Sequence, residues 1–133
     1  MSNFLWPVRV YWEDTDAGGV VYYANYLRFL ERCRTEWLRS QGLSQQELAS
    51  VRGVQFMVLE VKVSYRAPAR LDDSLVVTCA MRPEGRTTAR FAQEIWRGDP
   101  GEAGAELLLE AEVRVVCVDA KTLRPRRIGE YLP

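Results

Sequence analysis

One segment of this chain has the spacing of an amphipathic helix, and almost everything after it alternates as β-strands do. Between about Ala24 and Gln41, apolar residues recur at the period of a helix with one buried face. Gly42 follows directly and predicts the end of that helix. The apolar positions are Tyr26, Phe29, Leu30, Cys33 and Trp37.

Shorter elements are predicted on both sides of this helix. Val8–Trp12 alternates polar and apolar residues, as expected of a short first strand. Ser44 and Glu47 have the spacing of a capping box, which predicts a short second helix ending near Val51.

The second half of the chain alternates in long stretches separated by turns. Residues 55–66 and 107–118 have the pattern of strands, and two more strands are expected between them. The residues predicted to share a face are, strand by strand, Met57, Leu59, Val61, Val63 and Tyr65; Leu75, Val77, Cys79 and Met81; and Ala89, Phe91, Gln93 and Ile95. Grouped strands predict a single antiparallel α+β domain over residues 1–133, with the sheet wrapped around the long helix.

A single sheet over one helix leaves the edges of its outer strands unpaired. Domains of this kind commonly close an edge against a second copy of themselves. We therefore expect a homo-oligomer, either a dimer or a tetramer built as a dimer of dimers.

The composition excludes several classes of protein. The chain is 47% hydrophobic and 27% charged, as a soluble globular domain is, and its 18 basic residues are balanced by 18 acidic ones. A nucleic-acid binder would carry a net basic charge. Residues 1–7 lack the features of a signal peptide, and no apolar run is long enough to cross a bilayer. We therefore expect a cytoplasmic protein whose three scattered cysteines stay reduced and buried.

The chain contains no histidine. This excludes nucleophiles that histidine activates, and zinc sites that need imidazole. Three isolated cysteines do not make a cysteine-rich metal site either. We expect neither a metal nor a cofactor, so any catalysis would depend on carboxylates, hydroxyls or backbone dipoles.

Residues 13–26 combine three carboxylates, two glycines and a predicted helix start. Asp16 lies in this loop, and the first N–H groups of a helix lack acceptors within it. With the helix dipole, those groups can bind a carbonyl oxygen as it becomes an oxyanion, while Gly18 and Gly19 let the substrate approach closely. A nucleophile beside an oxyanion site suits acyl transfer. The same residues are also typical of a tight turn or helix cap, and both interpretations stay open.

The run DTDAGGVVYYANYLRFLERCRTEWL, residues 14–38, closely resembles the signature of the 4-hydroxybenzoyl-CoA thioesterase family. It is most similar to the branch encoded beside the bacterial Tol–Pal envelope genes. The resemblance continues through SYRAPARLDD at residues 64–73 and EAEVRVVCVD at residues 110–119. It implies the hotdog fold, hydrolysis of acyl-CoA thioesters, and an active site at a subunit interface.

The resemblance also implies roles for two residues. Asp16 would be the catalytic carboxylate, and the backbone N–H of Tyr23 would polarise the thioester carbonyl. Many members of the Tol–Pal branch have histidine at the Tyr23 position, a difference that bears on acyl-group preference more than on activity. Asp16 would either attack the thioester to form a mixed anhydride or deprotonate a water molecule. The weak basicity of a carboxylate at neutral pH favours attack.

Glu31 and Glu36 on the long helix are competing candidates, because some hotdog thioesterases carry their carboxylate on that helix. Their spacing from Arg34 and Arg32 favours ion pairs along the helix instead.

Coenzyme A carries phosphate groups, which arginine binds well. We predict that Arg86, Thr87 and Thr88, which open a strand after a turn, and Arg126 with Arg127 in the tail contact these phosphates. Solvated surface residues are the alternative interpretation for each of them.

Two other functions are compatible with the same fold. A hydratase or dehydratase would need a histidine, which this chain lacks. A non-catalytic module that binds an acyl carrier protein or an envelope-associated complex is the remaining alternative, and the intact Asp16 argues against it.

Overall fold

The structure is a computed structural model that describes residues 4–132, apart from the side chain of Glu130. Residues 1–3 and residue 133 lie outside this range. The prediction that residues 1–7 are not a signal peptide therefore falls partly outside the described residues. The strands are β1 (Phe4–Arg9), β2 (Val54–Tyr65), β3 (Ser74–Glu84), β4 (Thr88–Arg97) and β5 (Glu106–Asp119). The α-helices are α1 (Asn25–Ser40) and α2 (Gln45–Ser50), and short 3₁₀ turns cover Trp12–Asp14 and Ile128–Glu130.

The five strands form one antiparallel sheet in the order β1-β3-β4-β5-β2. Helix α1 lies against one face of this sheet and buries its apolar side there, as its sequence period predicts. The buried helix residues are Tyr26, Phe29, Leu30, Cys33 and Leu38. The predicted antiparallel α+β architecture, with one long helix against the sheet, is confirmed.

The predicted ends of the helices are also confirmed. Gly42 follows α1 with φ +82°, a left-handed conformation that favours glycine and ends the helix. The hydroxyl of Ser44 accepts a hydrogen bond from the Glu47 N–H at 3.4 Å, and so caps α2.

The first strand differs from the prediction of Val8–Trp12, because β1 ends at Arg9 and residues 12–14 form a 3₁₀ turn. The Asp14 carboxylate accepts a hydrogen bond from the Tyr11 N–H at 2.8 Å, which stabilises this turn in place of a longer strand. Alternation alone does not reveal that local hydrogen bond.

The predicted apolar face of β2 is also partly wrong. A bulge between Val58 and Glu60 inserts one residue, so the alternation of sides shifts there. Val61, Val63 and Tyr65 pair with β5 residues on the helix side, whereas Met57 lies on the opposite face of the sheet.

Gln93 is fully buried and joins the helix to the sheet. Its Nε2 donates to the carbonyls of Leu30 (3.1 Å) and Thr78 (3.4 Å), and its Oε1 accepts from Arg34 at 3.0 Å. Burial lowers the pKa of the Arg34 guanidinium, which donates to this neutral amide. Gln93, a polar residue at a position that the β4 pattern assigned to the apolar face, thus forms hydrogen bonds with polar groups of both the helix and the sheet.

We expect Gln93→Ala to lower the free energy of unfolding by roughly 1–3 kcal/mol, because it leaves buried partners of the amide unsatisfied. Gln46→Ala on the exposed side of α2 is the control and should change stability by less than about 0.5 kcal/mol. Urea unfolding measures both, and equal losses would contradict the bridging role.

Candidate active site

The loop that carries Asp16 is a small hairpin between the 3₁₀ turn and α1. The Tyr22 N–H donates to the Asp14 carbonyl at 3.0 Å, and the Asp16 N–H donates to the Val20 carbonyl at 2.9 Å. The Gly19 N–H returns to the Asp16 carbonyl at 3.0 Å and closes the tip. Asp16 therefore lies at an ordered tip, exposed to solvent.

The Asp16 carboxylate is held by its own loop. Its Oδ1 accepts the Gly18 N–H at 2.8 Å, and a Cβ at Gly18 would lie 3.2 Å from that oxygen. Gly19 has φ +77°, a backbone conformation that favours glycine. The carboxylate thus keeps a fixed direction while the glycines leave space beside it.

Asp14 and Asp16 each accept one backbone N–H of their own loop, and they differ in burial. Asp14 is buried, and its carboxylate accepts the Tyr11 N–H. Its backbone carbonyl accepts the Tyr22 N–H and also the Asn25 side-chain amide, the latter at 2.9 Å. The helix-cap interpretation therefore fits Asp14, whereas Asp16 presents its carboxylate to solvent.

Free N–H groups lie at the start of α1. The Tyr22 carbonyl accepts the Asn25 N–H at 2.8 Å, which fixes the peptide unit between Tyr22 and Tyr23. Within residues 4–132, the N–H groups of Tyr23 and Ala24 donate to no acceptor. Such groups at a helix N-terminus attract negative charge, so they can stabilise an oxyanion.

The connection between β2 and β3 holds this region in place. The Val21 N–H donates to the Ala69 carbonyl, and the Ala69 N–H donates to the Tyr26 hydroxyl, each at 2.9 Å. Tyr65, the last residue of β2, donates its hydroxyl to the Tyr23 carbonyl at 3.0 Å. The Asp16 loop and the start of α1 are therefore both held by the end of β2 and the connection that follows it.

Arg97, at the end of β4, in turn fixes that connection. Its Nε donates to Asp73 at 2.9 Å, another nitrogen donates to the Pro68 carbonyl at 2.6 Å, and it forms an ion pair with Glu106. No sequence pattern assigned Arg97 or Tyr65 to the site, although Tyr65 lies within residues 64–73, which carry part of the family resemblance.

The predicted phosphate contacts lie at the opposite end of the sheet. Arg86 follows β3, whereas the hairpin of Asp16 lies beside the residues that precede β3, through the Val20 and Arg70 bridge. The 11 residues of β3 span roughly 36 Å at about 3.3 Å per residue. Within one chain, Arg86 and Asp16 are therefore not brought together.

The predicted contacts also differ among themselves. Arg86 and Arg127 line a shallow pocket of about 420 Å³ together with Gly85 and Gly129. The Ile128 N–H donates to the Arg86 carbonyl at 2.9 Å, which holds the two arginine-bearing segments together.

The half-exposed Arg126 already has partners within the chain, because it pairs with Asp119 at 3.1 Å and donates to the Tyr131 hydroxyl at 3.2 Å. Thr88 is buried and its hydroxyl donates to the Glu84 carbonyl. Thr87 is half-buried and its carbonyl accepts the Cys117 N–H at 2.8 Å.

Glu31 and Glu36 are engaged along the helix, although not with the predicted arginines. Glu31 accepts from the Thr35 hydroxyl at 3.1 Å, and Glu36 pairs with Arg39 at 2.5 Å. Arg34, the predicted partner of Glu31, instead donates to Gln93. Both glutamates lie farther along α1 than the free N–H groups, so Asp16 remains the better placed carboxylate.

A further cavity of about 150 Å³ lies between α1 and the sheet. Its apolar lining consists of Leu38, Phe56, Val58, Phe91, Val115 and Leu132. Among residues 4–132, no cluster of acidic, cysteine or histidine side chains could hold a metal ion. No helix in that range is both long and apolar enough for a membrane span.

A family model described as the thioesterase superfamily matches residues 18–104, which include Gly18, Gly19, both α-helices and the strands β2, β3 and β4. The chain belongs to the thioesterase superfamily. The acyl-CoA thioester hydrolase YbgC of Escherichia coli O157:H7 is 50% identical over 129 residues, covering 97% of this chain and 92% of that protein.

Solved structures agree with this assignment. A probable thioesterase from Bartonella henselae is 32% identical with a TM-score of 0.86, covering 99% of this chain and 100% of that one. The 4-hydroxybenzoyl-CoA thioesterase of Pseudomonas sp. strain CBS-3, at 22% identity, shares the fold with a TM-score of 0.86 over 98% of this chain and 97% of that one. The predicted family and hotdog fold are confirmed, and with them the expectation of a thioester hydrolase.

Replacing Gly19 by Ala should destabilise this thioesterase by roughly 1–2 kcal/mol, because a Cβ is strained at φ +77°. Nothing lies within 4 Å of the added carbon, so the strain comes from the backbone alone. Gly101→Ala, in a loop whose glycine lacks a positive φ, is the matched control. Urea midpoints that fall equally in the two variants would contradict the constraint on the Asp16 hairpin.

Proposed function

We propose that this chain hydrolyses acyl-CoA thioesters, with Asp16 as the catalytic carboxylate. The observation that carries the proposal is an exposed carboxylate, fixed at a loop tip, followed by two N–H groups without acceptors at the start of a helix. The thioester carbonyl would lie between them, with its oxygen on the N–H of Tyr23. The name of the Escherichia coli relative supports the substrate class.

The chemistry follows from the groups available. In the nucleophilic route, an Asp16 oxygen bonds to the carbonyl carbon, the carbon–sulfur bond breaks, and coenzyme A leaves as a thiolate that takes up a proton. Water then hydrolyses the mixed anhydride and restores the carboxylate. In the general-base route, Asp16 takes a proton from the water that bonds to the carbonyl carbon, the carbon–sulfur bond breaks, and the leaving coenzyme A takes up that proton. Both routes need the same N–H groups on the oxyanion.

A second copy of the chain would pair along the β2 edge. The other edge, β1, has six residues and contains Pro7, which cannot donate to a neighbouring strand. β2 has 12 residues and leaves Val58, Leu59 and Tyr65 about half exposed, at 49%, 52% and 50%. Such an edge is open to association, which supports the homodimer; the tetramer would add a second interface.

Antiparallel pairing of β2 with its copy would complete the substrate site. A two-fold axis normal to the sheet reverses the strand direction, so the partner's pocket of Arg86 and Arg127 would lie at the same end as Asp16. These arginines would then bind the phosphates of the coenzyme A whose thioester reaches Asp16. The two-fold axis also reverses the cavity beside Phe56 and Val58. Its apolar side is a candidate for the acyl group, whereas Glu31, Arg34, Thr35 and Gln45 line the rest.

The substrate proposal is tested with butyryl-, benzoyl- and palmitoyl-CoA, together with one acyl chain carried on an acyl carrier protein. The acyl carrier protein thioester covers the alternative partner. Both substrate types and the reduced thiols fit a cytoplasmic location. No hydrolysis of any of them, with retained binding, would favour the non-catalytic module.

Asp16→Asn should lower kcat at least 100-fold, or about 2.7 kcal/mol in barrier, because the amide neither attacks nor accepts a proton well. Asp14→Asn is the matched control, since its side-chain oxygen still accepts the Tyr11 N–H, and kcat should stay within about threefold. Steady-state hydrolysis measures both. An Asp16→Asn variant as active as this control would refute the catalytic assignment.

Mixed dimers test whether the phosphate pocket belongs to the partner. At low substrate concentration, pure Asp16→Asn and pure Arg86→Ala/Arg127→Ala proteins should both hydrolyse poorly, since the arginines contribute uniform binding. A dimer with one protomer of each contains one intact site if the arginines act across the interface, so about half the wild-type activity should return.

The outcome separates the two arrangements. If Asp16 used the arginines of its own chain, no intact site would form and the mixture would stay as inactive as its parents. Arg82→Ala, an exposed arginine on the sheet, replaces the double variant in the control mixture. Tagged co-expression isolates the mixed dimers.

A further inference from the structure

Tyr65 connects the end of β2 to the start of α1 at the residue whose N–H is the proposed oxyanion donor. Its hydroxyl donates to the Tyr23 carbonyl at 3.0 Å. Its ring packs edge-on against Tyr26, with ring centroids 5.6 Å apart and planes at 63°. The ring contact fixes the side chain, so the hydroxyl reaches the carbonyl from a defined direction.

Two hydrogen bonds therefore fix the two peptide units on either side of the Tyr23 Cα. The unit before it is held through the Tyr22 carbonyl, which accepts the Asn25 N–H at 2.8 Å. The unit after it is held through the Tyr23 carbonyl by Tyr65. Since φ and ψ are the soft backbone dihedrals, fixing both units fixes the direction in which the Tyr23 N–H points.

The same contact acts on the next N–H. The Tyr23 carbonyl and the Ala24 N–H belong to one peptide unit, so a donor on that oxygen polarises the N–H. Desolvation by burial raises the pKa of the Tyr65 phenol, and the nearby Tyr26 and Tyr23 raise it further. The hydroxyl therefore stays protonated at neutral pH and keeps its donor role.

We propose that Tyr65 is a positioning residue for thioester hydrolysis, which aims and polarises the N–H groups of Tyr23 and Ala24 at the developing oxyanion. The proposal rests on the function proposed above. Tyr65 touches no reacting atom, and its effect is transmitted through one backbone carbonyl. An oxyanion donor is worth more in the transition state than in the ground state, so the contact should act on kcat.

The first test compares Tyr65→Phe with wild type on the CoA thioester of the panel that wild type hydrolyses fastest. Removing one hydroxyl keeps the ring contact with Tyr26. We expect kcat to fall about tenfold, with KM within about twofold, because the developing oxyanion loses much more stabilisation than the bound thioester carbonyl does. Tyr131→Phe is the matched control: it also removes a hydrogen-bonded hydroxyl, 3.2 Å from Arg126, and should leave kcat unchanged.

The second test reads the carbonyl itself. In the Asp16→Asn protein, infrared difference spectroscopy follows benzoyl-CoA or butyryl-CoA, whichever wild type hydrolyses faster, labelled with ¹³C at the thioester carbonyl. Hydrogen bonds from the N–H groups should lower the stretching frequency relative to free solution. Adding Tyr65→Phe should return the band at least halfway to its free position. Loss of stability alone would not move this band, because the spectrum reports bound, folded protein.

The outcomes are distinct. Unchanged kcat in Tyr65→Phe, equal losses in the Tyr131→Phe control, or an unmoved carbonyl band would overturn the positioning role and leave the proposed function standing. An active Asp16→Asn protein would overturn the proposed function instead, whatever Tyr65 does. A tenfold loss of kcat with a displaced band supports the role.

Discussion

The peptide groups of Ala69 join the two halves of the catalytic region. The Ala69 carbonyl accepts from Val21 in the Asp16 hairpin, and its N–H donates to Tyr26 in α1. Ala69 itself is fully buried. A buried backbone group without a partner costs roughly 1–3 kcal/mol. Separating the hairpin or the helix from the connection between β2 and β3 would leave the Ala69 groups without partners, and this cost holds the three segments together.

The ion pairs of Arg97 matter less than these hydrogen bonds, although they look stronger. Arg97 is partly exposed and its partner Glu106 is about half exposed, and pairs of that kind contribute only about 0–1 kcal/mol. Its hydrogen bond to the Pro68 carbonyl fixes backbone beside Ala69. Arg97 therefore refines the position of the connection, and Ala69 carries the larger part of its attachment to the active site.

The sequence predicts the parts of this protein that follow from a period or a local cap. The apolar spacing of α1, the stop at Gly42 and the capping of α2 by Ser44 are local and are confirmed. The β2 bulge at Leu59 and the buried bridge of Gln93 depend on a neighbouring strand or layer. No pattern within one segment contains that information.

The site has the same division between local and long-range features. Asp16 and the glycines beside it stand out because they are contiguous with a helix start, and the family resemblance then assigns the carboxylate a role. Tyr65 and Ala69 lie more than 40 residues away along the chain. Their contacts with Tyr23 and Val21 exist only once β2 and β3 have each taken their place in the sheet. Arg126 is the converse case, since its charge suits a phosphate and its pairing with Asp119 uses that charge inside the chain.

The length of the strands limits how one protomer could bind an acyl-CoA, whose thioester and phosphate groups lie at opposite ends of the molecule. A strand such as β3, 11 residues long, separates the carboxylate end of the sheet from its arginine pocket by roughly 36 Å. Among residues 4–132, no loop shortens that distance, because both ends are anchored in the same sheet. A two-fold axis at the β2 edge would remove the difficulty without any change in the protomer, since it would exchange the two ends of the sheet. In the mechanism proposed above, fixed N–H groups and one carboxylate would act without a histidine, so the thioester would need to be held in place. Two arginines from a second copy would provide that hold through the far end of the substrate.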